Sequence, residues 1–147
     1  MEELIKLLDE HLKYVSHELQ GERMEIYVES SRETVLCPSC GQGTSRTHSY
    51  YQRRFNDLPM QGVKVEIVIN NRILFCSNAE CKRKTFAEQF KCIPSNAKRS
   101  RRLTEKIIDI ALDTSAIATS TILNNGIANV GKSTICNLLK KRHTSYK

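Results

Sequence analysis

Residues 37–41 read Cys-Pro-Ser-Cys-Gly, and residues 76–81 read Cys-Ser-Asn-Ala-Glu-Cys. Two thiolates separated by two to four residues can be aimed at one metal ion from a tight turn, because the turn leaves backbone N–H groups facing the sulfurs. Gly41 suits the left-handed backbone such a turn needs. Two such pairs complete a tetrahedral set, so Cys37, Cys40, Cys76 and Cys81 are the expected ligands of a Zn2+ ion. Four sulfurs leave no open coordination position, which points to a structural ion whose binding energy is folding energy. The alternatives are buried free thiols, or a redox dithiol at Cys37 and Cys40, although no thioredoxin-like βαβ pattern surrounds that pair. Cys92 and Cys136 are unpaired by spacing, and Cys136 reads as a small core residue beside Ile135. His48 reads as an ordinary surface or packing histidine.

Working outward, the stretch between the cysteine pairs alternates. Val63, Val65, Ile67 and Ile69 share one face of an expected strand. Asn70-Asn71 is a turn signal, and 72–76 returns as a second strand. Upstream, Met24, Ile26 and Val28 alternate with Glu25, Tyr27 and Glu29, which predicts a strand over 24–30; residues 34–36 are expected to pair with it. Before that, Leu4, Leu8, Leu12, Val15 and Leu19 recur at spacings of three and four, predicting a helix over 3–20 that Gly21 ends. Its stripe packs on the rest of the chain or serves as a dimer contact. Beyond Pro94, Leu103, Ile107, Ile108 and Ala111 predict a helix. Ala116–Leu123 predicts a weaker one, and Ile135, Leu138 and Leu139 mark a last helix from about Lys132 to Arg142. The expected fold class is α+β: an N-terminal helix, a small antiparallel zinc-ribbon-like sheet, and a C-terminal helical region of helix-turn-helix type. The expected organisation is 1–90 for the helix and zinc module, and 91–147 for the basic helical region.

Charge is spread unevenly along the 147 residues, whose net formal charge is +7. Residues 1–36 hold 4 Lys/Arg and 9 Asp/Glu, whereas residues 91–147 hold 11 and 3. A basic end favours a polyanionic partner. The N-terminus carries acids where a signal peptide wants cations, and no run approaches the ~20 apolar residues of a membrane span. A cytoplasmic location is therefore expected, where thiols stay reduced.

The run CPSCG (37–41), RTHSYYQRRFNDLP (46–59), RILFC (72–76) and CKRKTFAEQF (81–90) resembles the zinc-finger segment of the IS-L-three-type insertion-sequence transposases. Asp57-Leu58-Pro59 and Phe86-Ala87-Glu88 sit at the family's places between and after the cysteines. The basic stretch that follows, with Arg102-Leu103-Thr104, is also similar. The resemblance implies that the zinc module and the helix-turn-helix together bind the terminal inverted repeats of a bacterial mobile element, with double-stranded DNA as partner. A homodimer or a full-length transposase is a further candidate partner, and a DNA-bound chain would be nucleoid-associated. In that family a later domain with an acidic triad cuts and joins DNA. The sequence stops at Lys147, and Glu105, Asp109 and Asp113 read as one helix face, so the expectation is a binding protein with no catalytic residues of its own.

A helix-turn-helix lays its second helix in the major groove, N-terminal end toward the bases. Here Lys132, Ser133 and Asn137 are candidates for base edges, and Thr134 for a phosphate or a cap. Lys140, Lys141 and Arg142, with Lys98, Arg99, Arg101 and Arg102, suit phosphates. For any single one of them, a solvated surface position is the bland alternative. Residues 126–133 (GIANVGKS) also match the phosphate-binding loop pattern, which offers a nucleotide-binding alternative. That motif needs a buried strand before it and a parallel sheet around it, and neither is legible here. A third alternative is a protein-interaction adaptor or an inhibitor of a full-length transposase, with zinc only stapling the fold.

Overall fold

The computed structural model describes residues 1–124 and 127–145, with side chains through Lys141. The fold is α+β, with four helices and a mixed five-stranded sheet among the described residues. The first helix, α1, covers only Glu2–Leu8, with Glu2 and Glu3 in its first turn and Ile5 as its buried residue. Asp9 ends it in an extended conformation; its buried carboxylate accepts the backbone N–H groups of His11 and Cys92 at 2.9 and 3.2 Å.

The helix expected over 3–20 is therefore mostly a strand. β1 (Leu12–Gln20) pairs antiparallel with β2 (Arg23–Ser30). Gln20 faces Arg23 across a two-residue turn in which Gly21 takes φ +61°. Gly21 thus opens a hairpin, a place where a leading glycine is favoured. The apolar spacing that suggested a helix is not a packed face, because Leu4, Val15 and Leu19 are all exposed. Leu12 is buried and Tyr14 packs on the core; a bulge beside Val15 then breaks the alternation. Five apolar residues fit both periods, and the ladder to β2 decides between them.

The strand expected over 24–30 is β2, with Ile26 and Val28 buried. Residues 34–36 do not pair with it. Instead β3 (Val35–Leu36) pairs with β4 (Gly43–Thr44) in a separate two-stranded sheet around the first cysteine turn. β5 (Thr47–Met60) and β6 (Val63–Phe75) form a long antiparallel hairpin. Its turn is Gln61-Gly62, both at positive φ (51° and 79°), as a type I′ connection demands. The expected turn at Asn70-Asn71 is absent: both residues lie inside β6, opposite Gln52 and Tyr51 of β5. Asn71 is buried, and its amide donates to the carbonyl oxygens of Arg72 and Glu88, so its polarity serves a cross-strand tie. β2 lies parallel to β6, which makes the sheet mixed and not purely antiparallel as expected. β7 (Thr85–Ala87) closes the far end against β6.

One face of this sheet, with Ile26, Val28, Phe55, Val65, Ile67 and Ile69, is the main core; Ile5, Phe90 and Ile93 cover it. The later helices are α2 (Arg101–Asp113), α3 (Ala116–Asn124) and α4 (Lys132–Ser145). α2 starts where Ser100 accepts the backbone N–H of Leu103, and it buries the expected stripe Leu103, Ile107, Ile108 and Ala111. Leu103, Ile107 and Ala111 share a second core with Leu123 of α3 and Ile135 of α4. The helical unit is tied to the sheet through Asp57. That buried carboxylate accepts the Ser100 hydroxyl at 2.7 Å and Arg102 Nε at 2.8 Å, and forms an ion pair with Arg102 Nη2.

Candidate zinc centre

The first cysteine turn hangs between β3 and β4. Cys37 donates its N–H to the carbonyl of Gln42, and Gly41, at φ +76°, donates to the carbonyl of Cys37. The second turn leaves the end of β6. Cys76 donates to the carbonyl of Lys84, Cys81 donates to that of Asn78, and the Asn78 side chain accepts the N–H of Glu80. A third small core of Val35, Leu74 and Phe86 packs Cys37 and holds the two turns face to face.

The four sulfurs lie within 4.8 Å of one another, with Cys37–Cys81 at 4.0 Å and Cys40–Cys76 at 3.6 Å. A tetrahedron with Zn–S arms of about 2.3 Å has edges of about 3.8 Å, so the spacing fits zinc. No such grouping of other metal-binding side chains occurs among the described residues. Electrostatics divide the set. The backbone N–H of Cys40, with that of Ser39 and the neighbouring sulfurs, lowers the Cys37 thiol to about 7. At Cys76 the N–H of Asn78 also favours the thiolate, but burial and the three facing sulfurs outweigh it and push the thiol up to about 12. Of these two, Cys37 is the readier thiolate, and a bound cation would offset the repulsion at Cys76. All four residues are those expected from spacing.

Residues 33–81 match the family model described as the zinc-finger of transposase IS204/IS1001/IS1096/IS1165. This segment is a transposase-type zinc ribbon. Zn2+ is its cofactor, on the family match and the sulfur geometry together. No curated protein and no solved structure matches the chain.

The other cysteines stand apart from the zinc ribbon. Cys92 is buried in the main core, and burial, reinforced by Asp9, pushes its thiol up to about 12. Cys136 is half-buried on α4. His48 stacks edge-on against Phe75 and hydrogen-bonds Ser49, outside the sulfur cluster.

The basic residues singled out from sequence separate into groups. Lys132, Ser133, Asn137, Lys140 and Lys141 are exposed on α4, Thr134 is half-buried, and Ile135 faces the core. The side chain of Arg142 lies outside the described residues. In the 98–102 cluster, Lys98 is exposed and Arg99 half-buried, and Arg101 donates to the carbonyl of Lys91. Arg102 is engaged by Asp57, and its guanidinium pKa rises on that bond. Its charge is largely offset and its role is to dock α2.

Gly126, first residue of the phosphate-loop pattern, lies outside the described residues. The remainder follows a helix, not a strand. The N–H groups of Ile127 and Ala128 bond the carbonyl of Leu123, and that of Val130 bonds the Asn124 side chain. Ala128 and Val130 are buried in the helical core. A phosphate cradle needs free N–H groups converging on an anion; here those of Ile127, Ala128 and Val130 are used to end α3 and pin the connector to α4.

Sequence reasoning missed two carboxylates, Asp57 and Glu88. Glu88 is fully buried and accepts Ser30 Oγ at 2.6 Å, Arg32 Nη1 at 3.1 Å and Arg72 Nε at 3.0 Å. Both lie in the motifs that carried the family resemblance, which was the available signal. Their partners are distant in sequence and visible only in the fold.

Proposed function

We propose that this chain is a DNA-binding module of the insertion-sequence transposase type, which grips a duplex with α2–α4 and uses the zinc ribbon and sheet as its brace. In this reading α3 and α4 act as the helix-turn-helix pair, and the target is a terminal inverted repeat. The observation that carries it is the outer face of α4. Ser133, Asn137, Lys140 and Lys141 recur at spacings of four, three and one, all exposed, while Ile135 anchors the opposite side in the core. One helix thus presents a hydroxyl, an amide suited to adenine, and two cations along a single stripe. The match of residues 33–81 to a transposase zinc finger supports the same partner.

The chain is proposed to bind without cutting. The closed four-sulfur shell supports a structural metal and leaves no position for an activated water. The test is selection of bound duplexes from a random pool by the zinc-loaded chain, followed by titration at several salt concentrations. A recovered consensus, with affinity falling steeply as salt rises, is the expected result. Absence of duplex binding at about 50 mM salt overturns the reading, since phosphate attraction is strong there. Cleavage of the selected duplex in Mg2+ or Mn2+ overturns the non-catalytic part.

A further inference from the structure

The sheet separates two regions of positive charge. Beside the helical end the sheet's own cations are matched: Arg54 bridges Glu66 and Glu25 at 2.8 and 3.4 Å, and Arg23, opposite Lys64, pairs with Glu66 at 2.5 Å. At one end stands the helical unit, where Lys64 Nζ touches Asn129 just before α4. At the other end stands the tip of the zinc ribbon. There Lys82, Arg83 and Lys84 follow the last zinc ligand and are exposed, and among the described residues none has an ion-pair partner. Arg46 joins them across the strands, its guanidinium 5.3 Å above the Phe75 ring, and Phe75 pairs with Thr85 beside Lys84. Lys64 and Phe75 are joined by one unbroken strand, β6. At about 3.3 Å per residue, the two ends of that stretch lie roughly 36 Å apart, close to the roughly 34–36 Å of one turn of B-DNA.

We propose that Arg46, Lys82, Arg83 and Lys84 form a second phosphate-contacting foot, which meets the same duplex about one helical turn from the α4 contact. The β5–β6 ribbon acts as the spacer. This inference rests on the DNA-binding reading above and adds a contact centred on Lys82–Lys84, which lie beyond the 33–81 match, with Arg46 inside it. The three side chains are exposed and carry no ion pair among the described residues, and the bond from Cys76 N–H to the Lys84 carbonyl is a backbone bond that alanine keeps, so the triplet can be changed without harm to the fold.

The experiment is hydroxyl-radical footprinting of the full zinc-loaded chain on its selected duplex, beside the triple variant Lys82→Ala, Arg83→Ala, Lys84→Ala. Zinc content and circular dichroism verify that the variant is folded. The wild type is expected to protect two backbone patches about 10 base pairs apart. The variant is expected to lose the patch distal to α4, to keep the other, and to show a salt dependence shallower by about two to three contacts, with all sequences weakened alike. A single patch in the wild type, or two patches and an unchanged salt slope in the variant, overturns the second foot and leaves the α4 reading standing. A wild type that binds no duplex overturns both. The variant Asn137→Ala separates the feet from the other side: it should relax sequence preference and leave the distal patch intact.

Discussion

Replacing Glu88 with Gln tests how the sheet and the zinc ribbon are locked together. The carboxylate has no exposed surface, and its two guanidinium partners are mostly buried, Arg32 at 20% and Arg72 at 14% side-chain exposure. Its oxygens accept three donors. An amide in the same place offers one acceptor oxygen and turns its NH2 toward a donor, leaving two buried cations without their counter-charge. Breaking a buried ion pair costs about 3–5 kcal/mol. The lower figure applies here, because Arg32 keeps its bond to the carbonyl of Gln89 at 2.7 Å and Arg72 keeps its bond to the carbonyl of Arg32 at 2.9 Å. A loss of about 3 kcal/mol is a large share of the roughly 5–15 kcal/mol that holds a domain together. With a urea slope of about 1.5–2 kcal/mol per molar, the unfolding midpoint of the zinc-saturated protein should fall by about 1.5–2 M. Glu29→Gln is the control, since its pairing with Lys13 is half exposed on both sides and should be worth less than about 1 kcal/mol. A Glu88→Gln midpoint no lower than that of the control would refute the view that this carboxylate is the lock.

Four further outcomes follow from the same geometry. Cys37→Ser or Cys81→Ser should release zinc and unfold the ribbon, read by metal content and circular dichroism; retention of both refutes the ligand assignment. Zinc affinity should fall as the solution is acidified, because protons compete for the thiolates. With Cys37 near 7 and Cys76 near 12 in the metal-free site, binding at pH 7 should release more than one proton, measured by calorimetry in buffers of different ionisation enthalpy; heats independent of buffer would contradict this. Leu103→Ala, at a fully buried position of the helical core, should cost about 2–5 kcal/mol in denaturant unfolding, against less than about 1 kcal/mol for the exposed Leu112→Ala. Lys132→Ala and Asn137→Ala should each weaken binding of the selected duplex by about 1–3 kcal/mol with little change for random duplex, measured by gel shift; equal losses on both would mean they read no bases.

The cysteine ligands, the strand over 24–30 and the three later helices were legible in the chain itself, and the reason is locality. A thiol pair two to four residues apart is aimed by its own turn, and the Leu103, Ile107, Ile108, Ala111 stripe closes on itself within a few turns of helix. What only the tertiary structure decided depended on partners far away along the chain. Leu12–Gln20 has spacings that serve a helix or a strand, and the ladder to Arg23–Ser30 made it a strand. Asn70-Asn71 has the chemistry of a turn, but pairing with β5 and the bond from the Asn71 amide to the Glu88 carbonyl hold those residues inside β6. Arg102 reads as a free cation until Asp57, 45 residues away, takes its charge. Periodicity and turn chemistry report what a segment is able to do, whereas hydrogen-bonded neighbours and buried counter-charges select among those options.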